Sequence, residues 1–413
     1  MKISSIPMCF ERNVAKFLLF NFVVLAAAGT LLRYLNCFSL SGVNYQFLLH
    51  SHSHFAFAGW MFLSIAFLSF HQFKHPQIIS KPRFNLIFWF TIFVSFGMLA
   101  SFFLSGYKLI SIVFSTLFVF IGYSFVVILF KSKMLAKTSP HAVVILLKSA
   151  LFFLVLSSLG PFFLGYLQAK GFKNIALQQN SIYFYLHFQL NGFMQLSLLA
   201  LFFKRYLKQN LVENRRITFY ATVFSFSTLP LYAMFILWQK PAIWVYVLVF
   251  VSAIIHFSAW LMLLYKLKPK LEPLSFLAKI ALIAIGLQFF FQILIGIPII
   301  GDWAFVSRNL IIGYIHLLTL GSLSPLIIDL LIQTGVLTPS ARLNYFFILS
   351  VGSYLVLLFG SSFLTIFKIY IPHLPYYLFV SNLWILVIAV AYLIRAFNKK
   401  GIYNAPHHNF LIK

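Results

Sequence analysis

Apolar residues run through this chain in long unbroken stretches, not in the alternations that mark half-buried strands or amphipathic surface helices. Twelve stretches reach the roughly 20 residues that an α-helix needs to cross about 30 Å of hydrocarbon. They centre near Val24, Phe62, Val94, Phe118, Leu154, Leu196, Leu229, Val249, Ala284, Leu320, Leu355 and Val387. None alternates at every second residue as membrane-barrel strands do, so the pattern predicts an all-α integral membrane protein with twelve transmembrane helices. The connections are short, and no Gly/Ser linker or charge block separates a soluble unit, so residues 1–413 read as a single transmembrane domain. The first stretch, Phe17 to Leu32, outlasts a signal-peptide core and has no small-x-small cleavage site before Arg33, which predicts a retained helix.

The polar positions inside these stretches repeat. From His54 the chain reads HFAFAGWMFLS and from His187 it reads HFQLNGFMQLS, two copies of His-Phe-x-x-x-Gly-aromatic-Met-x-Leu-Ser. A fainter third copy, HLLTLGSLS, begins at His316 and keeps the glycine five residues on, at Gly321. The histidines fall on predicted helices two, six and ten, four helices apart each time. Such a period predicts three four-helix units in a pseudo-threefold arrangement. All three helices run in the same direction, with each histidine in the first third, so the imidazoles are expected at one depth and able to converge on a shared centre.

Composition agrees with the membrane reading, at 62% hydrophobic and 9% charged residues. The formal net charge of +26 would suggest nucleic acid in a soluble protein, but its distribution excludes that partner. With the N-terminus inside, 22 of the 31 Lys and Arg fall on the inner connections and tails and seven on the outer ones. This asymmetry predicts a bacterial-type inner (plasma) membrane protein with both termini cytoplasmic, its basicity facing anionic lipid. Cys9 and Cys37 then lie on opposite sides and cannot pair.

An ionisable side chain within a bilayer is costly enough to suggest function. Imidazole is the least costly because hydrocarbon keeps it neutral, which is also its metal-binding form. In LLHSHSHFAFAGW, His50 and His54 share one helix face and His52 points to another. His256 matches no repeat and reads as a structural histidine bonded across helices, while His71, His75, His141, His373, His407 and His408 read as solvated. Among five carboxylates, only Asp329 lies within a helix, at a depth shared with Lys148 and Lys279, which predicts an inner-leaflet ion pair.

On these residues the chain resembles the haem-copper oxidase superfamily, in which twelve helices form three arcs and histidines on helices two, six and ten hold cofactors near the outer face. NnrS-like haem- and copper-containing membrane proteins are a second relative by the same His-x-His and His-x-x-x-x-Gly elements. The resemblance implies haem ligated by His54, or alternatively His50 or His52, together with His316, and copper at His187. It places Arg33, and with it Arg308 and Lys368, where cations could meet haem propionates. It also implies a cytochrome or quinol electron donor and a diatomic ligand such as nitric oxide or oxygen.

The departures limit what is implied. Asn191 stands where oxidases carry a tyrosine, helix seven has no histidine pair, and there is no carboxylate ladder for a proton pump. The chain therefore reads as a degenerate member acting in electron transfer or in handling a small gas, with haem-dependent oxidoreductase activity as an open expectation. A transporter with a histidine-lined site, its helices interrupted at Pro161, Pro230, Pro298 and Pro325, is the alternative, and a non-catalytic assembly or sensor protein is a third.

Overall fold

The computed structural model describes residues 8–73, 81–130, 139–208 and 214–397. His75, His407, His408 and Glu213 lie outside these. Among the described residues twelve helices are long and apolar enough to span a membrane. They are α1 (Phe10–Tyr34), α2 (Tyr45–Gln72), α3 (Lys81–Ser105), α4 (Leu109–Phe130), α5 (His141–Ala169) and α6 (Ile175–Tyr206), followed by α7 (Arg215–Gln239), α8 (Ile243–Lys270), α9 (Phe276–Ile295), α10 (Arg308–Gln333), α11 (Ala341–Ile366) and α12 (Leu374–Phe397). No strand forms among the described residues beyond an isolated bridge between Leu207 and Leu271. This is an all-α polytopic membrane protein, as the hydropathy pattern predicts.

Helix contacts recur at an offset of four. Helix α3 packs on α4, α7 on α8 and α11 on α12; between units, α4 meets α5, α8 meets α9, and α12 closes the ring on α1. The second helix of each unit lies at the centre. In the most apolar window of α2, α6 and α10, 83%, 94% and 72% of residues are buried, against 61% or less in the other nine spans. The C-terminal halves of these three helices touch pairwise, and Trp60 Nε1 of α2 donates to Ser324 Oγ of α10 at 3.0 Å.

Each central helix also changes pitch just after its repeated histidine. Seven-residue π-helical segments occupy Ala56–Phe62, Phe188–Met194 and Leu317–Leu323. Each ends on a bond to the fifth residue back, from Leu63 N to Ala58 O, Gln195 N to Leu190 O and Ser324 N to Thr319 O. A π turn inserts a residue and loosens the carbonyl ladder, and such turns concentrate at functional sites. In α2 the Gly59 carbonyl is claimed from outside the helix, by Asn21 Nδ2 of α1 at 2.7 Å.

Close approach elsewhere depends on missing side chains. A Cβ at Gly160 of α5 would sit 2.5 Å from Ser181 O and 3.0 Å from Tyr185 N, both backbone atoms of α6. A Cβ at Gly165, one turn on, would meet nothing within 4 Å. Backbone cannot rotate aside as a side chain can, so Gly160→Ala should lower stability by about 1–3 kcal/mol through overpacking. Gly165→Ala should be neutral or slightly stabilising, because alanine is the better helix former. Thermal unfolding of the two variants in detergent checks the contrast.

Two expectations for charged groups are corrected. Asp329 is buried, but its partners are hydroxyls, not lysine: Oδ1 accepts from Ser275 Oγ at 2.6 Å and Oδ2 from Tyr206 OH at 2.8 Å. These donors satisfy the carboxylate without burying a second charge, while the Lys148 ammonium lies over the Phe130 ring. His71 is not simply solvated, since its Nε2 lies 3.2 Å from Glu11 Oε2.

Candidate functional site

Asn44 caps α2 through its side-chain oxygen, which accepts from Phe47 N, and Tyr45–Phe55 winds as regular α-helix. Successive residues in such a helix turn by 100°, so His50 and His54 lie on one face and His52 points almost the opposite way. The structure assigns the two faces to different neighbours. His54 and His50 face α3 and the turn that follows it. His54 stacks on Phe102 at 4.2 Å with rings 8° apart, and its Nε2 lies 2.9 Å from Tyr107 OH. His52 faces α1 and α12, where a Cβ on Gly29 would come within 3.2 Å of its Cε1 and 3.6 Å of Asn382 Oδ1.

This rotation brings His52, rather than His54, towards α10. His52 and His316 lie within electrostatic range of one another, and both feel the charge of Arg33. His316 is oriented from two sides, by a 2.8 Å contact between its Nδ1 and the Ile312 carbonyl and by edge packing on Tyr354 at 5.4 Å. When Nδ1 carries the proton of that bond, Nε2 is left as a lone-pair donor, the arrangement that orients many metal-binding imidazoles. Arg33 is 9% exposed and donates to Tyr354 OH from both Nε, at 2.9 Å, and Nη2. That phenol is neutral, so a buried guanidinium sits here without a counter-charge among the described residues. On the other side, Thr30 and Asn382 meet at 3.0 Å between Oγ1 and Oδ1. His52 Nδ1 is buried and has no hydrogen-bond partner.

His187 lies in a different compartment and is fully buried. Its Nε2 donates to the Thr228 carbonyl at 2.8 Å, and its Nδ1 accepts from Asn191 Nδ2 at 3.2 Å. Asn191 Oδ1 in turn accepts from Gln288 Nε2 at 2.7 Å, and Gln288 Oε1 accepts from Gln195 Nε2 at 2.9 Å. Gln292 Nε2 reaches Tyr314 OH at 2.9 Å. His256 takes the structural place expected of it, with Nδ1 2.8 Å from Ser227 Oγ.

The repeated histidines therefore do not converge. Each faces the third helix of its own unit: His54 meets α3, His187 meets α7, and His316 meets α11. No group of three or more His, Cys, Asp or Glu side chains with metal-binding proximity occurs among the described residues. The reason is the threefold arrangement itself, which turns equivalent side chains outward into three compartments. His52, on the opposite face of α2, instead crosses to a neighbouring unit at α12. Arg308 is held at the N-terminal end of α10, its Nη2 donating to Tyr45 OH at 3.1 Å.

Tyr354, Asn382, Tyr314, Gln288 and Gln292 are absent from the sequence-based site. A signal for the last two exists, since glutamines four apart in an apolar helix present one polar face. Compared with known proteins, the chain matches no family model, and no curated protein is significantly similar to it.

Proposed function

We propose that this protein holds one haem between α2 and α10, with His52 and His316 as axial ligands and Arg33 facing the propionates, and that it serves in electron transfer at a bacterial-type inner membrane. The observation that carries this reading is that two imidazoles from different units lie within electrostatic range of one another and of a buried guanidinium that has no counter-charge among the described residues. Burying such a cation is costly unless an anion accompanies it, and a propionate supplies one. The orphaned Nδ1 of His52 offers a free nitrogen for the haem, and Gly29 lets the His52 ring seat closely against α1. Bound haem would contribute one-electron redox chemistry. His52 and His316 would fill both axial positions, leaving none for a gas. Copper at His187 does not fit, because protein groups already engage both nitrogens of that imidazole.

A dithionite-reduced minus oxidised spectrum of the purified full-length protein, with metal analysis in parallel, tests the reading. The expected result is one haem per chain, a sharp low-spin spectrum and no stoichiometric copper associated with His187. Protein that carries no haem after expression in haem-replete cells would overturn it.

A further inference from the structure

The opposite face of α2 is occupied by groups that the haem reading does not use. His50 and His54 are four residues apart in regular helix, and both pack against Tyr107, with ring centroids 4.7 and 5.8 Å away. Tyr107 is carried by the turn between α3 and α4, and that turn is firmly built. Gly106 adopts a φ of +63° against the Phe47 ring, Gly106 N bonds Phe102 O at 2.9 Å, and Ser111 Oγ donates to Gly106 O at 2.6 Å. Phe102 completes the clamp, stacked on His54 and 4.8 Å from the Tyr107 ring. Two imidazoles on one helix face and a phenol held over them are thus fixed near one end of the membrane span. Tyr107 is 56% exposed, so an ion can reach the cluster without crossing the bundle.

We propose that His50, His54 and Tyr107 form a binding site for a divalent transition metal of borderline softness, copper(II) or zinc(II), separate from the His52 and His316 compartment. Imidazole pairs at this spacing bind such ions from one helix face, and imidazole suits zinc and copper alike. Two donors each about 2.0 Å from a tetrahedral ion lie about 3.3 Å apart. His54 Nε2 and Tyr107 OH are already 2.9 Å apart, so a small opening admits the ion between them. A single proton occupies that contact now, whichever atom carries it. Metal binding displaces it to the aqueous side, leaving the phenolate oxygen and the imidazole nitrogen as ligands. Water fills the fourth position.

Titration of the chelator-washed full-length protein with copper(II) and with zinc(II), against a chromophoric competitor, tests the site. The expected result is one ion per chain, with copper giving a phenolate-to-metal charge-transfer band. His50→Ala and His54→Ala should each lower affinity at least about 100-fold, beyond the 10–100-fold typical of losing an outer-shell partner. Tyr107→Phe keeps the ring packing, removes one oxygen, abolishes the band and should weaken binding at least about 10-fold. His52→Ala should leave this affinity unchanged, so the result is independent of whether haem is bound. A wild-type protein that binds no ion, or affinity that Tyr107→Phe leaves untouched, overturns the assignment.

Discussion

His316→Ala and His52→Ala should each strip the purified protein of haem, whereas His54→Ala and His187→Ala should leave haem content and the reduced spectrum intact. The contrast follows from the rotation of α2. His52 faces Gly29 and Asn382, on the side that meets the Arg33 and Tyr354 neighbourhood of His316, while His54 is stacked on Phe102 on the far side. His187 has no free nitrogen to offer. If His52 and His316 hold the iron as proposed, loss of either would remove a metal–nitrogen bond, so the effect is expected to be loss of bound haem rather than a small spectral shift. Arg33→Leu should act more weakly, because a charge-assisted hydrogen bond contributes about 1.5–3 kcal/mol, or roughly 10- to 100-fold in haem retention. Pyridine haemochrome quantification against protein concentration reads all five proteins. If His54→Ala loses haem while His52→Ala keeps it, the axial assignment in α2 is reversed.

The twelve spans and the threefold organisation are legible because both are written in local quantities, run length and repeat period. The repeated histidines likewise mark the three central helices, which are the most buried of the twelve. What the sequence does not carry is helix rotation. Residues 50, 52 and 54 specify two opposed faces, but which face meets α1 and α12 depends on packing set elsewhere, at positions such as Gly29 and Phe102. The π turns are equally hidden, since a bond to the fifth residue back leaves no composition signature. Asp329 illustrates a third limit. Depth along a helix suggested lysine partners, but the neighbours that reach it are Ser275 and Tyr206, which are distant in sequence and only meet in the folded bundle.

Gln288→Leu should destabilise the bundle more than any other substitution in the α6–α9 interface, by about 2–4 kcal/mol. Its amide is the junction of the network: it donates to Asn191 Oδ1, accepts from Gln195 Nε2 and lies 3.4 Å from Tyr314 OH. Leucine of similar size leaves Asn191 without its donor and Gln195 without its acceptor, both fully buried. Each stranded polar group costs about 1–3 kcal/mol, more than the net contribution of an intact bond. The companion change Gln195→Leu should therefore recover part of the loss, because it removes one of the two stranded groups. Unfolding midpoints of the single and double variants measure this directly. The same network bears on the expectation of a gas-binding centre. It occupies the space beside His187, where the resemblance to oxidases would put a ligand-binding centre, and a haem held by both His52 and His316 would offer no open position, so carbon monoxide added to the reduced wild-type protein should leave its spectrum unchanged. A carbon monoxide-induced Soret shift in the wild type would mean that the iron has an open position, so that His52 and His316 do not both hold it.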